Sequence, residues 1–273
     1  MRLVAIPLNL RRLFAALAAS LVVLVSASPA AAIIDGQPDT THTYVGVLVA
    51  DVPGFGVVAF CSGTLVAETW FVTAGHCVNP PDLGGATLRG VSFALDPFSG
   101  PQPIPVVEID EVHIYPGFAL PDVFTDIAVV HLKTRVDGPY GDLPDMGSLE
   151  PLKDKKAGDP VFTTVGYGWQ QWVPHSAGLG VRRFTTSRLQ GFLYPTPPPG
   201  KGDASTSSLI KLQKLQGTRG DVCYSDSGGP LFNGGATNIV SAITVGGSKN
   251  CVGPHYGLRL DTMPVLTFLR RYV

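Results

Sequence analysis

The sequence predicts an all-β fold closed by one short helix. Short runs rich in Val, Ile, Thr and aromatic residues recur along the chain, with turn-forming residues between them. Only 263–273 places apolar side chains at helical spacing. Pro and Gly supply 56 of the 273 residues and are scattered between the apolar runs, so the chain is not of low complexity. No period of about 20–50 residues repeats. Many short strands imply a sandwich or barrels.

The first 32 residues stand apart. Arg2, Arg11 and Arg12 make a basic start, "LFAALAASLVVLV" (13–25) is apolar, and small residues follow up to Ala32. This three-part pattern predicts a secretory signal peptide over 1–32, with export to the extracellular space. A membrane anchor is the rival, but Pro29 interrupts the segment and the unbroken run is short for a span. "RRLF" (11–14) faintly resembles a twin-arginine signal, although arginines are common in any signal start.

Strands are expected in order at "TYVGVLVA" (43–50), "GVVAFCSGTLVA" (56–67), "TWFVTAG" (69–75), "PVVEIDEVHIY" (105–115) and "DIAVVHL" (126–132). Others follow at "PVFTTVGYGW" (160–169), "SSLIKLQKLQ" (207–216) and "NIVSAITVG" (238–246). "YPTPPPGKGDASTSS" (194–208) reads as a surface loop rather than a proline-rich partner motif. "MPVLTFLRRYV" (263–273) has late arginines that favour a closing helix.

Cleavage after Ala32 removes three arginines and no acid, leaving 17 basic and 21 acidic residues. That balance gives no reason to expect nucleic acid or an anionic membrane as partner. The remaining length suits one domain or two joined halves. Cys61, Cys77, Cys223 and Cys251 are an even set, which in an exported chain favours two disulfides. Three pairings are possible, and the tight Cys-x-x-Cys spacing of a zinc site is absent.

The chemistry concentrates at "DVCYSDSGGP" (221–230). A serine beside an acid and two glycines makes sense if Ser227 is exposed on a tight turn where substrate approaches the backbone. A serine hydroxyl is a weak nucleophile and needs a base. His76 is singled out because "WFVTAGHC" ends an apolar strand beside a cysteine, whereas His42, His113, His131 and His175 sit in ordinary contexts. The base needs an acid to hold its tautomer, and Asp126 heads the apolar run "DIAVVHL".

In this order, "TAGHC", "DIAVVHL" and "DSGGP" resemble the histidine, aspartate and serine motifs of the trypsin and chymotrypsin-like serine proteases. "VGYGW" (165–169) and "YPGF" (115–118) resemble two of that family's turns, and the cysteines match. The likeness covers roughly 33–273 and is to secreted, bacterial-type members with a short propeptide or none. It implies two six-stranded antiparallel β-barrels, a crossing near 135–160, and a catalytic cleft between them holding His76, Asp126 and Ser227.

The resemblance also implies further roles. The backbone N–H groups of Ser225 and Ser227 would form the oxyanion hole. Asp226 would pair with a free ammonium at Ile33, released directly by signal cleavage, because "IIDG" (33–36) resembles the start of active members. Asp221, six residues before Ser227, would lie at the floor of a pocket for Arg or Lys, with Val245 and Gly246 as its wall. Two departures stand out. The family has glycine where this chain has Ser225, and His255 or Tyr256 falls where a pocket glycine is usual.

The resulting expectation is a secreted serine endopeptidase, monomeric, acting on protein or peptide substrates, with protein protease inhibitors as further partners. No metal or organic cofactor is implied, since Glu108, Asp110 and Glu111 do not form a convincing calcium loop. A non-catalytic homologue that binds a partner and a secreted esterase are the alternatives. The esterase elbow G-x-S-x-G is missing at Ser227. "RGD" (219–221) matches an integrin-binding tripeptide, a weak motif.

Overall fold

The computed structural model describes residues 33, 36–99, 104–154, 160–169, 180–195, 208–216, 220–235 and 237–273. The signal segment, most of the 194–208 loop and Arg219 of the RGD tripeptide lie outside the described residues.

The short strand β1 (Gln37–Pro38) precedes β2 (Val45–Val52), β3 (Gly56–Ala67), β4 (Trp70–Thr73), β5 (Thr87–Ser92), β6 (Val107–Ile114) and β7 (Ala128–Leu132). Strands β2–β7 close into one antiparallel barrel in the order β2-β3-β4-β7-β6-β5. Then come β8 (Val161–Gly166), β9 (Arg183–Leu193), β10 (Leu209–Lys214), β11 (Pro230–Asn233), β12 (Val240–Gly247) and β13 (His255–Arg259). They run β9-β10-β13-β12-β11-β8, and β8 pairs back onto β9, which closes the second barrel. Closure leaves no free sheet edge in either barrel.

Packing explains two glycines inside the strands of the first barrel. Gly46 and Gly63 face each other across β2 and β3. A Cβ on Gly63 would lie 2.4 Å from the Phe71 ring. The missing side chain therefore lets Phe71, fully buried, fill the barrel, a burial that stabilises by about 1.5–3 kcal/mol.

A buried polar network joins the barrels. Tyr167, just after β8, donates its hydroxyl to the Ala94 carbonyl at 2.8 Å. Arg182, 2% exposed, donates to the carbonyls of Asp39, Val45 and Phe93 and to the Tyr167 hydroxyl. Helix α1 (Met263–Leu269) closes the chain, with Val265, Leu266, Phe268 and Leu269 buried at the expected helical spacing. It ends four residues before the C-terminus, so Arg270 and Arg271 follow it rather than belong to it. Among the described residues no helix is long and apolar enough to cross a membrane.

Candidate active site

His76 stands on a single 3-10 turn, Gly75–Cys77, where the chain leaves β4. The Cys61–Cys77 disulfide ties that turn to β3. The second bridge joins Cys223 to Cys251, so one of the three possible pairings is realised. Asp126 lies just before β7 and is fully buried. Its Oδ2 is 2.7 Å from His76 Nδ1, and its Oδ1 accepts the His76 backbone N–H at 2.8 Å. A carboxylate only accepts, so Nδ1 carries the ring proton and Nε2 keeps its lone pair. Both oxygens are engaged, which meets the cost of burying the charge.

The turn carrying Ser227 explains both glycines. Gly228 has φ +80°, and a Cβ there would meet the Thr73 hydroxyl at 2.2 Å and the Ser62 carbonyl at 2.3 Å. A Cβ on Gly229 would come within 2.5 Å of the Val165 carbonyl. The Ser227 carbonyl accepts the Ser62 N–H at 2.7 Å, which docks the turn on the first barrel. Among the described residues no hydrogen bond joins Ser227 Oγ to His76, a looseness common in substrate-free sites.

The backbone N–H groups of Ser225 and Ser227 have no acceptor among the described residues. Ser225 adopts φ +74°, the left-handed region that glycine enters freely and serine rarely does. The Tyr224 carbonyl accepts the Trp169 N–H at 2.9 Å. Because the peptide is planar and trans, that bond turns the Ser225 N–H to the opposite side.

Asp226 is fully buried, and its oxygens accept the N–H groups of Gly168 at 2.8 Å and Cys223 at 2.9 Å. Burial pushes its carboxyl up to about 7, against those two amides, and the nearby Asp221 charge adds to the rise. No cation pairs with it among the described residues. Ile33 is fully buried too, but in the full chain its nitrogen is a peptide amide without charge.

A cavity of about 220 Å³ opens beside Ser227, between Val222–Tyr224 and the stretch Gly246–Lys249, with Thr244 behind. Gly246 lines it, whereas Asp221, Val245 and His255 are not among its lining residues. Asp221 is 6% exposed and accepts the N–H groups of Val222 and Gly253, and burial raises its pKa. His255 lies on β13 between Leu212 and Gly247. It is fully buried, neither ring nitrogen has a hydrogen-bond partner among the described residues, and burial lowers its pKa to about 4. Glu108, Asp110 and Glu111 on β6 pair with Lys133, His131 and His113.

Two barrels, a buried Asp–His pair and a serine turn with two free amides agree with what comparison finds. The family model for trypsin matches residues 33–263.

The chain belongs to the trypsin family.

Its trypsin-family relatives are distant. It is 26% identical over 227 residues to serine protease Hayan of Drosophila melanogaster, covering 73% of this chain and 32% of that protein. It is 26% identical over 208 residues to the venom peptide isomerase heavy chain of Agelenopsis aperta, covering 72% and 80%. An uncharacterized peptidase of Corynebacterium glutamicum is 26% identical over 239 residues, covering 84% and 69%. The chain thus spans only about a third of Hayan's length. One relative is named an isomerase, so membership of the trypsin family leaves the reaction to be argued from the site.

Tyr167 and Trp169 fall inside the turn "VGYGW", while Ser62 and Arg182 are not singled out by the sequence, Ser62 being legible only as the neighbour of Cys61. Arg182 gave no local signal, since its partners lie far along the chain.

Proposed function

We propose that this trypsin-family chain is a secreted serine endopeptidase. Ser227 Oγ attacks the scissile carbonyl carbon while His76 Nε2 takes its proton. The oxygen that gains charge sits against the N–H groups of Ser225 and Ser227. His76 then protonates the leaving amine, which departs and leaves an acyl group on Ser227. Water then gives a proton to His76 as its oxygen bonds to the acyl carbon, and His76 returns that proton to Ser227 Oγ as the carbon–Oγ bond breaks, which releases the acid and restores the serine. Asp126 holds the tautomer and stabilises the imidazolium. The observation that carries this reading is the double hydrogen bond of buried Asp126 to His76, which leaves Nε2 as the only basic ring nitrogen.

Export is supported by two disulfides and no free cysteine among the described residues, which suits an oxidising compartment. Activation rests on Asp226. A buried carboxyl with a raised pKa and no cation beside it among the described residues is the partner that a free Ile33 ammonium requires. Preference for Arg or Lys before the cut bond rests on Asp221, also buried without a cation within hydrogen-bond reach among the described residues. A basic side chain would have to pass the cavity's present lining to reach it.

The test is digestion of a peptide library by the secreted chain, with cut sites read by mass spectrometry, beside Ser227→Ala. Cutting after Arg or Lys that Ser227→Ala abolishes is the expected result. Cutting after other residues removes Asp221 as selector. Ester turnover without peptide cleavage supports the esterase, and neither activity supports a binding protein.

A further inference from the structure

We infer that Ser62 is a positioning residue for the oxyanion turn: its buried hydroxyl holds Ser225 in the left-handed backbone that keeps the Ser225 N–H free for substrate. The inference rests on the peptidase reading for its kinetic consequence, but its structural premise stands apart from it.

Ser62 is fully buried on β3. Its hydroxyl donates to the Ser225 carbonyl at 2.9 Å and accepts the Tyr167 N–H at 2.9 Å. Its own N–H reaches the Ser227 carbonyl, and its carbonyl accepts the Thr73 hydroxyl at 2.8 Å. One residue of the first barrel therefore grips the turn at both 225 and 227, and the 165–169 segment besides.

The backbone around Ser62 is shaped for this. In the pairing of β2 with β3, Val47 faces Ser62 and Leu48 faces Phe60, so Cys61 is an extra residue in a bulge. Cys61 takes φ +48°, as bulged residues in the left-handed region do. A bulge resets the alternation of a strand, and this one comes directly before Ser62. The Cys61–Cys77 bridge pins the same bulge beside the His76 turn.

Ser225 needs the help. A serine does not rest in the left-handed region unless its surroundings over-determine it. Here two bonds do so. Trp169 N–H holds the Tyr224 carbonyl on one side of Ser225, and Ser62 Oγ holds the Ser225 carbonyl on the other. With both peptide planes fixed, φ and ψ at 225 are fixed together. Removing the Ser62 hydroxyl frees one plane, and an alanine methyl at this fully buried position offers no donor to replace it.

Three variants test this: Ser62→Ala, Ser225→Gly and the double. Ser62→Ala should lower kcat about 10–100-fold with KM within about twofold, a fraction of what losing an oxyanion donor costs. Ser225→Gly in that background should restore most of the loss, because glycine enters positive φ without strain. A purely structural role would lower thermal stability without a kcat-specific loss and would not be rescued by glycine. Either unchanged kcat in Ser62→Ala or a failure of rescue overturns the inference. A crystal structure of Ser62→Ala decides the premise without any activity: Ser225 should leave the left-handed region, and an unmoved φ overturns the inference. If wild type itself cleaves nothing, the peptidase reading fails, while that backbone measurement still decides the role of Ser62.

Discussion

Asp126 holds His76 at two points, the ring Nδ1 at 2.7 Å and the backbone N–H at 2.8 Å. The second bond fixes where the histidine begins, and the first fixes which way its ring faces. Asp126→Asn should separate them. Its oxygen can still accept the backbone N–H, while its amide then points N–H groups at Nδ1 and moves the ring proton to Nε2. The fold should survive, and kcat on a peptide substrate should fall about 10⁴-fold. A loss below about tenfold, with an unchanged melting curve, would remove Asp126 from the mechanism.

One residue added before Ile33 of the mature chain should abolish the proposed ion pair without unfolding the protein. Activity should fall at least about tenfold, some 1.4 kcal/mol in the barrier. The pH dependence of stability should change as well. With Asp226 unpaired, its folded pKa of about 7 lies above the ordinary 3.8, so the folded state binds the extra proton between them. The extended form should then lose stability as pH rises from about 4 to 7. In the mature form the ammonium lowers that pKa and the loss should disappear. Parallel Tm curves for the two forms would contradict the pairing.

His255 sets a slope of the opposite sign. The unfolded chain takes up a proton there near 6.5, the folded chain only near 4. Stability should therefore fall as pH drops through that window, by an amount on the order of 3 kcal/mol for this group alone. His255→Leu removes the group, and its Tm between pH 7 and 4 should be flatter than that of wild type. Equal slopes would mean that the ring is hydrated or paired in solution.

Arg182 is the cross-brace. Arg182→Met removes the donors to the carbonyls of Asp39, Val45 and Phe93; Val45 keeps the Tyr167 hydroxyl, while the Asp39 carbonyl loses its bond in a buried setting. The expected loss is about 3 kcal/mol or more, a Tm drop of roughly 6–12 °C for a chain of this size. A change under about 2 °C in a scanning calorimeter would show that the brace is dispensable.

The sequence was most legible where structure is local. The run 56–67 is a strand over its whole length, and the buried positions of α1 follow the helical spacing. The strands that were not expected are the very short β1 and β11 and the polar or interrupted β5, β9 and β13. β5 contains Arg89 and Gly90, β9 contains Arg188 and Gln190, and β13 spans only His255–Arg259. Their identity comes from ladder partners, β9 lying between β8 and β10 and β13 between β10 and β12. Propensity within a strand does not encode its neighbours.

By itself the sequence determined the all-β class, the family motifs with their order, and the even set of cysteines. Each is a matter of residue type and short spacing, which the chain carries before it folds. Only the tertiary structure decided which cysteines pair, that β8 closes onto β9, that Asp221 and His255 stay out of the cavity lining, and that Ser62 reaches Ser225. Ser62 and Ser225 are 163 residues apart, and Arg182 and Asp39 are 143. Their meeting depends on barrel closure and on the bulge at Cys61 that resets β3. Those are properties of whole strands in register, which no short stretch of sequence contains.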